Sequence, residues 1–158
     1  MYKRILLAYD GSAEGRTALR EGALLANKVH AKVFLLSVIA ETAALRMAEG
    51  NHPGTIDALV KKHAPLLEDG VVRLRKLGFS PQSKLVSGEP VREIALCAKQ
   101  FAADLVVVGH RRSTMLERWW SGTTGANLSD HITCSLLIAR NEVDDVNFEA
   151  QCQLVQAE

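Results

Sequence analysis

The sequence predicts an α/β fold, an open, doubly wound parallel sheet of five strands with helices on both faces. Four short apolar runs dominate, Ile5–Tyr9, Val33–Val38, Leu105–Val108 and Leu136–Ala139, and three of them are nearly continuous in β-branched or aliphatic residues. Such runs mark strands buried on both faces, as in a parallel sheet covered by helices. The stretches between them are long enough for crossover helices and carry apolar residues at helical spacing. A length of 158 residues, 47% of them hydrophobic, suits one domain with a substantial core.

The elements follow in order. The first strand ends at Asp10, and Ser12 is placed to cap a helix whose stripe Ala18, Gly22, Leu25 and Val29 is small enough to sit close to the sheet. The second strand ends at Val38. A longer insertion follows, with Gly50–Gly54 as a loop. Ile56, Leu59, Val60, His63, Leu67, Val71 and Leu74 then recur at helical spacing. Pro65 interrupts them, which predicts a kink or two abutting helices. Lys84-Leu85-Val86 is a weaker run and reads as an edge strand. Gly88-Glu89-Pro90 opens the next helix, with Pro90 in its first turn and Val91, Ile94, Ala98 and Phe101 as its buried stripe. The order β-α-β-α-β-α-β-loop-α-β is that of a doubly wound sheet. Residues 1–140 form the domain, and residues 141–158 read as a tail that docks on the body or on a partner.

Charge and cysteine usage narrow the function. With 19 basic and 18 acidic residues the net charge is +1, which argues against a nucleic-acid binder or a polybasic membrane contact. The apolar run in residues 1–9 is too short for a signal-peptide core, and no stretch approaches the ~20 apolar residues of a membrane span. Cys97, Cys134 and Cys152 are odd in number and widely spaced, which speaks against a disulfide framework or zinc site and for a cytoplasmic location. Cys134 reads as a small buried hydrophobe. His30 and His63 read as helix residues, and the five histidines show no metal-ligand spacing.

In an open parallel sheet, ligands bind beyond the carboxyl ends of the strands where the strand order reverses. Two segments sit there. One is Asp10-Gly11-Ser12; the other runs from Gly109-His110-Arg111-Arg112 through Trp119-Trp120 to Gly122-Thr123-Thr124-Gly125. Gly109 lets the backbone approach a ligand with no Cβ in the way. Gly122, Thr123 and Thr124 open a helix running toward Asp130, and a helix start offers free N–H groups to a phosphate. Local pattern alone leaves a bland alternative open, in which these residues make only a turn and an N-cap. Arg111 and Arg112 read equally as phosphate ligands or as solvated loop charges. His110 is the histidine expected to face the cleft. One tryptophan either closes over the pocket or joins an interface, or else one packs on the core and the other half-covers it. The Gly-x-x-x-x-Gly-Lys-[Ser/Thr] phosphate loop and the Gly-x-Gly-x-x-Gly fingerprint are both missing from the sequence, and with them the common phosphoryl-transfer machinery.

Asp10 after the first strand, Val106-Val107-Val108-Gly109, a long loop, Gly122-Thr123-Thr124-Gly125 and the closing Cys134-Ser135-Leu136-Leu137-Ile138 together resemble the universal stress proteins. The likeness covers roughly residues 2–140. The nucleotide-binding branch of that family carries a glycine, two residues, a glycine, nine residues, then a glycine followed by Ser or Thr. Here Gly109, Gly122 and Thr123 match, and Arg112 stands where the middle glycine belongs. The resemblance implies an ATP-binding (or ADP/AMP-binding) regulatory domain, with Mg²⁺ accompanying the triphosphate and no catalytic residues. Asp10 would lie near the ribose and phosphates, Val38 would meet the adenine edge through its backbone, and Gly109, Gly122, Thr123 and Thr124 would line the triphosphate, with Ser12 adding a hydroxyl. It also implies a homodimer paired through the last strand and an unidentified protein partner. Arg112 divides the outcomes. In a glycine-only conformation it would strain the loop by roughly 1–2 kcal/mol and leave a partner-binding dimer without nucleotide. In a permissive conformation it would pair with phosphate. Slow ATP hydrolysis through Asp10 or His110 is the third reading.

Overall fold

A computed structural model describes residues 1–110 and 128–140 and, in the C-terminal segment, positions 146, 148 and 150. Five strands, β1 (Arg4–Ala8), β2 (Lys32–Ala40), β3 (Gln82–Gly88), β4 (Leu105–Gly109) and β5 (Ser135–Ala139), form one parallel sheet in the order β3-β2-β1-β4-β5. The helices are α1 (Ala13–Lys28), α2 (Ala43–Asn51), α3 (Thr55–Lys76), α4 (Pro90–Phe101) and α5 (Leu128–His131). The chain winds outward from β1 in one direction to β3 and then returns to β4 on its other side. The order therefore reverses between β1 and β4, as in a Rossmann-like, adenine nucleotide alpha hydrolase-like sheet.

Successive strand residues point to opposite faces, and the two cores separate accordingly. Ile5, Leu7, Tyr9, Val33, Leu35, Leu105 and Val107 face α1 and α3. Leu6, Leu36, Val106 and Val108 face α4. Because β1 and β4 are covered on both sides, each reads in sequence as an unbroken apolar run. β3 lies at the sheet edge, where only part of each residue is covered, which is why its run is weaker.

Ser12 does cap α1, its hydroxyl accepting from the Gly15 amide, and the buried line of that helix runs through Ala18, Leu19, Gly22, Ala23 and Ala26. Leu25 and Val29 are only partly buried beside it. A Cβ at Gly22 would overlap the Leu7 side chain and touch Val107, so the small stripe does set how close α1 lies to the sheet. Glu89 caps α4 through both carboxylate oxygens, accepting from the Val91 and Arg92 amides, with Pro90 in the first turn.

Four expectations need correction. The insertion after β2 contains α2, capped by Thr42 and reaching Asn51, so the loop narrows to the turn His52–Gly54. α3 is one helix through Pro65 rather than two abutting ones, and Pro65 sits on its exposed side, where water can serve the carbonyl that the missing N–H leaves open. His30 is not helical but lies in the turn after α1 at φ 52. Cys134 is only partly buried. Beyond β5, Phe148 is packed into the core on the α1 and α3 side while Val146 is exposed. Among the described residues no helix is long and apolar enough to cross a membrane.

Candidate functional site

The turn from β1 into α1 is built around one carboxylate. Asp10 Oδ1 accepts from the Ser12 amide at 2.9 Å and receives a short bond from the Ser12 hydroxyl. That hydroxyl in turn accepts from the Gly15 amide at 3.0 Å. Asp10 therefore fixes the residue that caps the helix, and the first turn of α1 is held against the end of β1. Gly11 adopts φ +76 with the Leu66 side chain of α3 beside it, a conformation that glycine takes at little cost. Gly109, the last residue of β4, lies against the Glu14 carbonyl so closely that any Cβ would overlap it. Its first role is thus to let α1 approach the end of β4.

These strand ends enclose a cavity of about 130 Å³ at the switch point between β1 and β4. That is about tenfold the roughly 10–15 Å³ needed for one water. Asp10, Ser12, Glu14 and Gly109 form its polar end; Leu36, Val38, Ala40, Pro90, Ile94 and Val108 form an apolar wall. Four of the residues singled out from sequence, Asp10, Ser12, Val38 and Gly109, are thereby brought together. Arg112, Gly122, Thr123 and Thr124, with Trp119 and Trp120, lie outside the described residues. His110 is not part of the cavity lining; its amide donates to the Ala139 carbonyl at 3.1 Å.

Val38 does not end its strand. β1 stops opposite Leu36, whereas β2 continues four residues to Ala40, paired on its other side with β3. On the β1 side, Ser37–Ala40 have no neighbouring strand among the described residues, so a ledge of backbone borders the apolar wall.

Sequence reading missed Tyr9, Pro90 and Ile94 as site residues, since each also fits the core pattern. Tyr9 links the cleft to α3. Its ring packs under Gly70, and its hydroxyl donates to Asp69 at 3.3 Å. Burial pushes the phenol above its ordinary value, and the Asp69 charge adds to this. Arg73, bonded to Asp69 at 2.8 Å, holds that carboxyl below its usual range. Among the described residues no group of three or more His, Cys, Asp or Glu side chains is placed to hold a metal ion.

A parallel sheet with a cleft at its switch point defines a doubly wound α/β domain, the kind of sheet that takes ligands at that place. The family model for the universal stress protein family matches residues 1–140, and the chain belongs to that family. Universal stress protein YxiE of Bacillus subtilis is 29% identical over 148 residues, covering 89% of this chain and all of the relative. Among solved structures, hypothetical protein MJ0577 superposes with a TM-score of 0.73 at 24% identity, over 91% of this chain and 99% of its own. A universal stress protein family member from Arabidopsis thaliana, solved with AMP bound, superposes at a TM-score of 0.58 and 19% identity, over 90% and 94%.

Proposed function

We propose that the chain binds an adenine nucleotide, ATP or its ADP and AMP forms, and acts in the stress response as a regulatory domain whose bound state governs contact with a protein partner. The observation that carries this reading is the convergence of Asp10, Ser12, Val38 and Gly109 from three strand ends on one cleft at the switch point. The apolar wall and the β2 ledge suit a flat base, and the polar end suits ribose and phosphate. AMP in the Arabidopsis relative supports the same ligand class. Gly122, Thr123, Thr124 and Arg112 would reach the phosphates, and Mg²⁺ would be held by phosphate oxygens and water. The half-covered edge strand β5 supports pairing of two copies, since an open edge otherwise invites unwanted association.

Two observations favour a second reading, a partner-binding dimeric scaffold inside the cell that holds no nucleotide. Asp10 and Gly109 each have a packing role that needs no ligand, and Arg112 replaces a motif glycine. A thermal melt with ATP, ADP and AMP, each with Mg²⁺, separates the two. A nucleotide at about 100 times its Kd adds roughly 2.7 kcal/mol, a rise of about 5–11 °C for a chain of this size. No shift at millimolar nucleotide would leave the scaffold as the better account. In the melt, Arg112→Gly raises the ATP response if the arginine blocks the loop and lowers it if the arginine binds phosphate. Turnover of ATP that disappears in Asp10→Ala would establish slow hydrolysis, and equal turnover in both would discard it.

A further inference from the structure

A second cavity, of about 330 Å³, opens at the amino ends of the strands, on the face covered by α4. Its volume lies at the lower end of the range for small-molecule sites, about 300–1,000 Å³. Its walls include Arg4 of β1, Lys32 and Phe34 of β2, Lys84 of β3, and Cys97 and Phe101 of α4. Nothing in the proposed function uses this groove, and the two readings stand independently.

The groove concentrates positive charge in a chain that is nearly neutral. Arg4 Nε donates to the Ala102 carbonyl at 2.8 Å, and Lys84 Nζ lies 3.4 Å from Gln100 Oε1. Both partners are neutral, and among the described residues Arg4, Lys32 and Lys84 form no ion pair. Arg4 and Lys32 are also register partners on adjacent parallel strands, which places two like charges side by side on one face. Such a pair opposes folding unless something between the charges offsets them. Asp104 and Glu93 lie close by, although neither lines the groove. Asp104 accepts from the Lys3 amide at 2.7 Å and from the Arg4 amide at 3.1 and 3.2 Å, and Glu93 packs against Gly88 at the far end of β3. Phe34 and Phe101 form a tilted ring pair with centroids 5.0 Å apart, both partly exposed, with Cys97 buried beside them.

We infer that this groove binds a small organic oxyanion with a flat apolar body, an aryl phosphate or aryl carboxylate. The anion sits between Arg4, Lys32 and Lys84, and the body rests on the Phe34–Phe101 pair. The cations supply charge-assisted bonds and the rings supply the selectivity over inorganic anions.

The test is an amide chemical-shift titration of the full chain with phenyl phosphate, benzoate, inorganic phosphate and, as a cation control, benzylamine. The inference expects saturable shifts at Lys32–Phe34, Lys84 and Phe101, with one of the aryl anions at least about tenfold tighter than inorganic phosphate. The stronger of phenyl phosphate and benzoate identifies the oxyanion. Lys32→Ala with Lys84→Ala weakens that binding by about tenfold or more and holds or raises the thermal midpoint, because a like-charge contact is removed. Lys84→Gln alone provides the same affinity test with the strand pair untouched. The inference is overturned by shifts confined to Asp10 and Gly109, by no saturation on the order of 10 mM, by equal affinity in the lysine variants, or by an equal response to benzylamine.

Discussion

Helices α1 and α3 cover the same face of the sheet and are built on opposite plans. α1 lies on the sheet along its whole length through glycine and alanine, close enough that Gly22 leaves no room for a Cβ. α3 touches the core only with its second half, Leu67, Gly70, Val71 and Leu74. Its first half, with α2 beside it, stands beyond the sheet; α2 has no buried residue at all, and Met47 and Val60 are exposed. Apolar spacing is equally helical in both halves of α3. Periodicity shows which side of a helix is apolar and leaves open whether anything lies beneath it.

The largest effect expected from this contrast is at Leu74, which is fully buried. Leu74→Ala should destabilise the protein by about 2–5 kcal/mol, whereas Val60→Ala, at 37% exposure in the same helix, should stay within about 0.5 kcal/mol. Equal losses in chemical denaturation would mean that the two halves of α3 are covered alike. A smaller and pH-dependent effect is expected at the α2–α3 turn. Glu49 accepts from the Gly54 amide at 2.8 Å and the Ile56 amide at 2.7 Å, and these bonds hold its carboxyl below the usual value of 4.5. The stabilisation is therefore present above pH 4.5 and is lost as pH falls through the depressed value. Amide exchange at Gly54 and Ile56 should speed up relative to Leu74 on acidification, and Glu49→Gln should show no such step. Smallest is Ala102, which ends α4 at φ 51. Ala102→Gly should gain up to about 1 kcal/mol in denaturant midpoint, as glycine relieves left-handed strain at a helix end.

The fold was legible where both sides of an element are covered. β1 and β4 announce themselves because sheet neighbours and helices on two faces demand aliphatic residues throughout, and Ser12 and Glu89-Pro90 mark helix starts because an unsatisfied amide needs a particular side chain. α2 stayed hidden because an exposed helix has no stripe to read. His30 was taken as helical since chain position says nothing of φ, and of the two outcomes expected at Pro65 the pair of abutting helices did not occur, because an exposed proline can stay inside one helix. Of the site, Asp10, Ser12 and Gly109 were found by their place at strand ends and Val38 through the family resemblance, and the four do meet in one cleft. Tyr9 and Ile94 were overlooked, since an apolar residue at a strand end or on a helix stripe serves core and ligand alike.

The four-residue overhang of β2 beyond β1 has a consequence for how this site tolerates evolutionary drift. A ledge of backbone presents the same N–H and C=O groups whatever side chains stand at residues 37–40. Substitutions there can recolour the surrounding wall without rewriting the groups that would meet a base. Recognition of that kind is inherited with the strand register rather than with particular residues, and a lineage can lose most of its sequence identity while keeping the geometry.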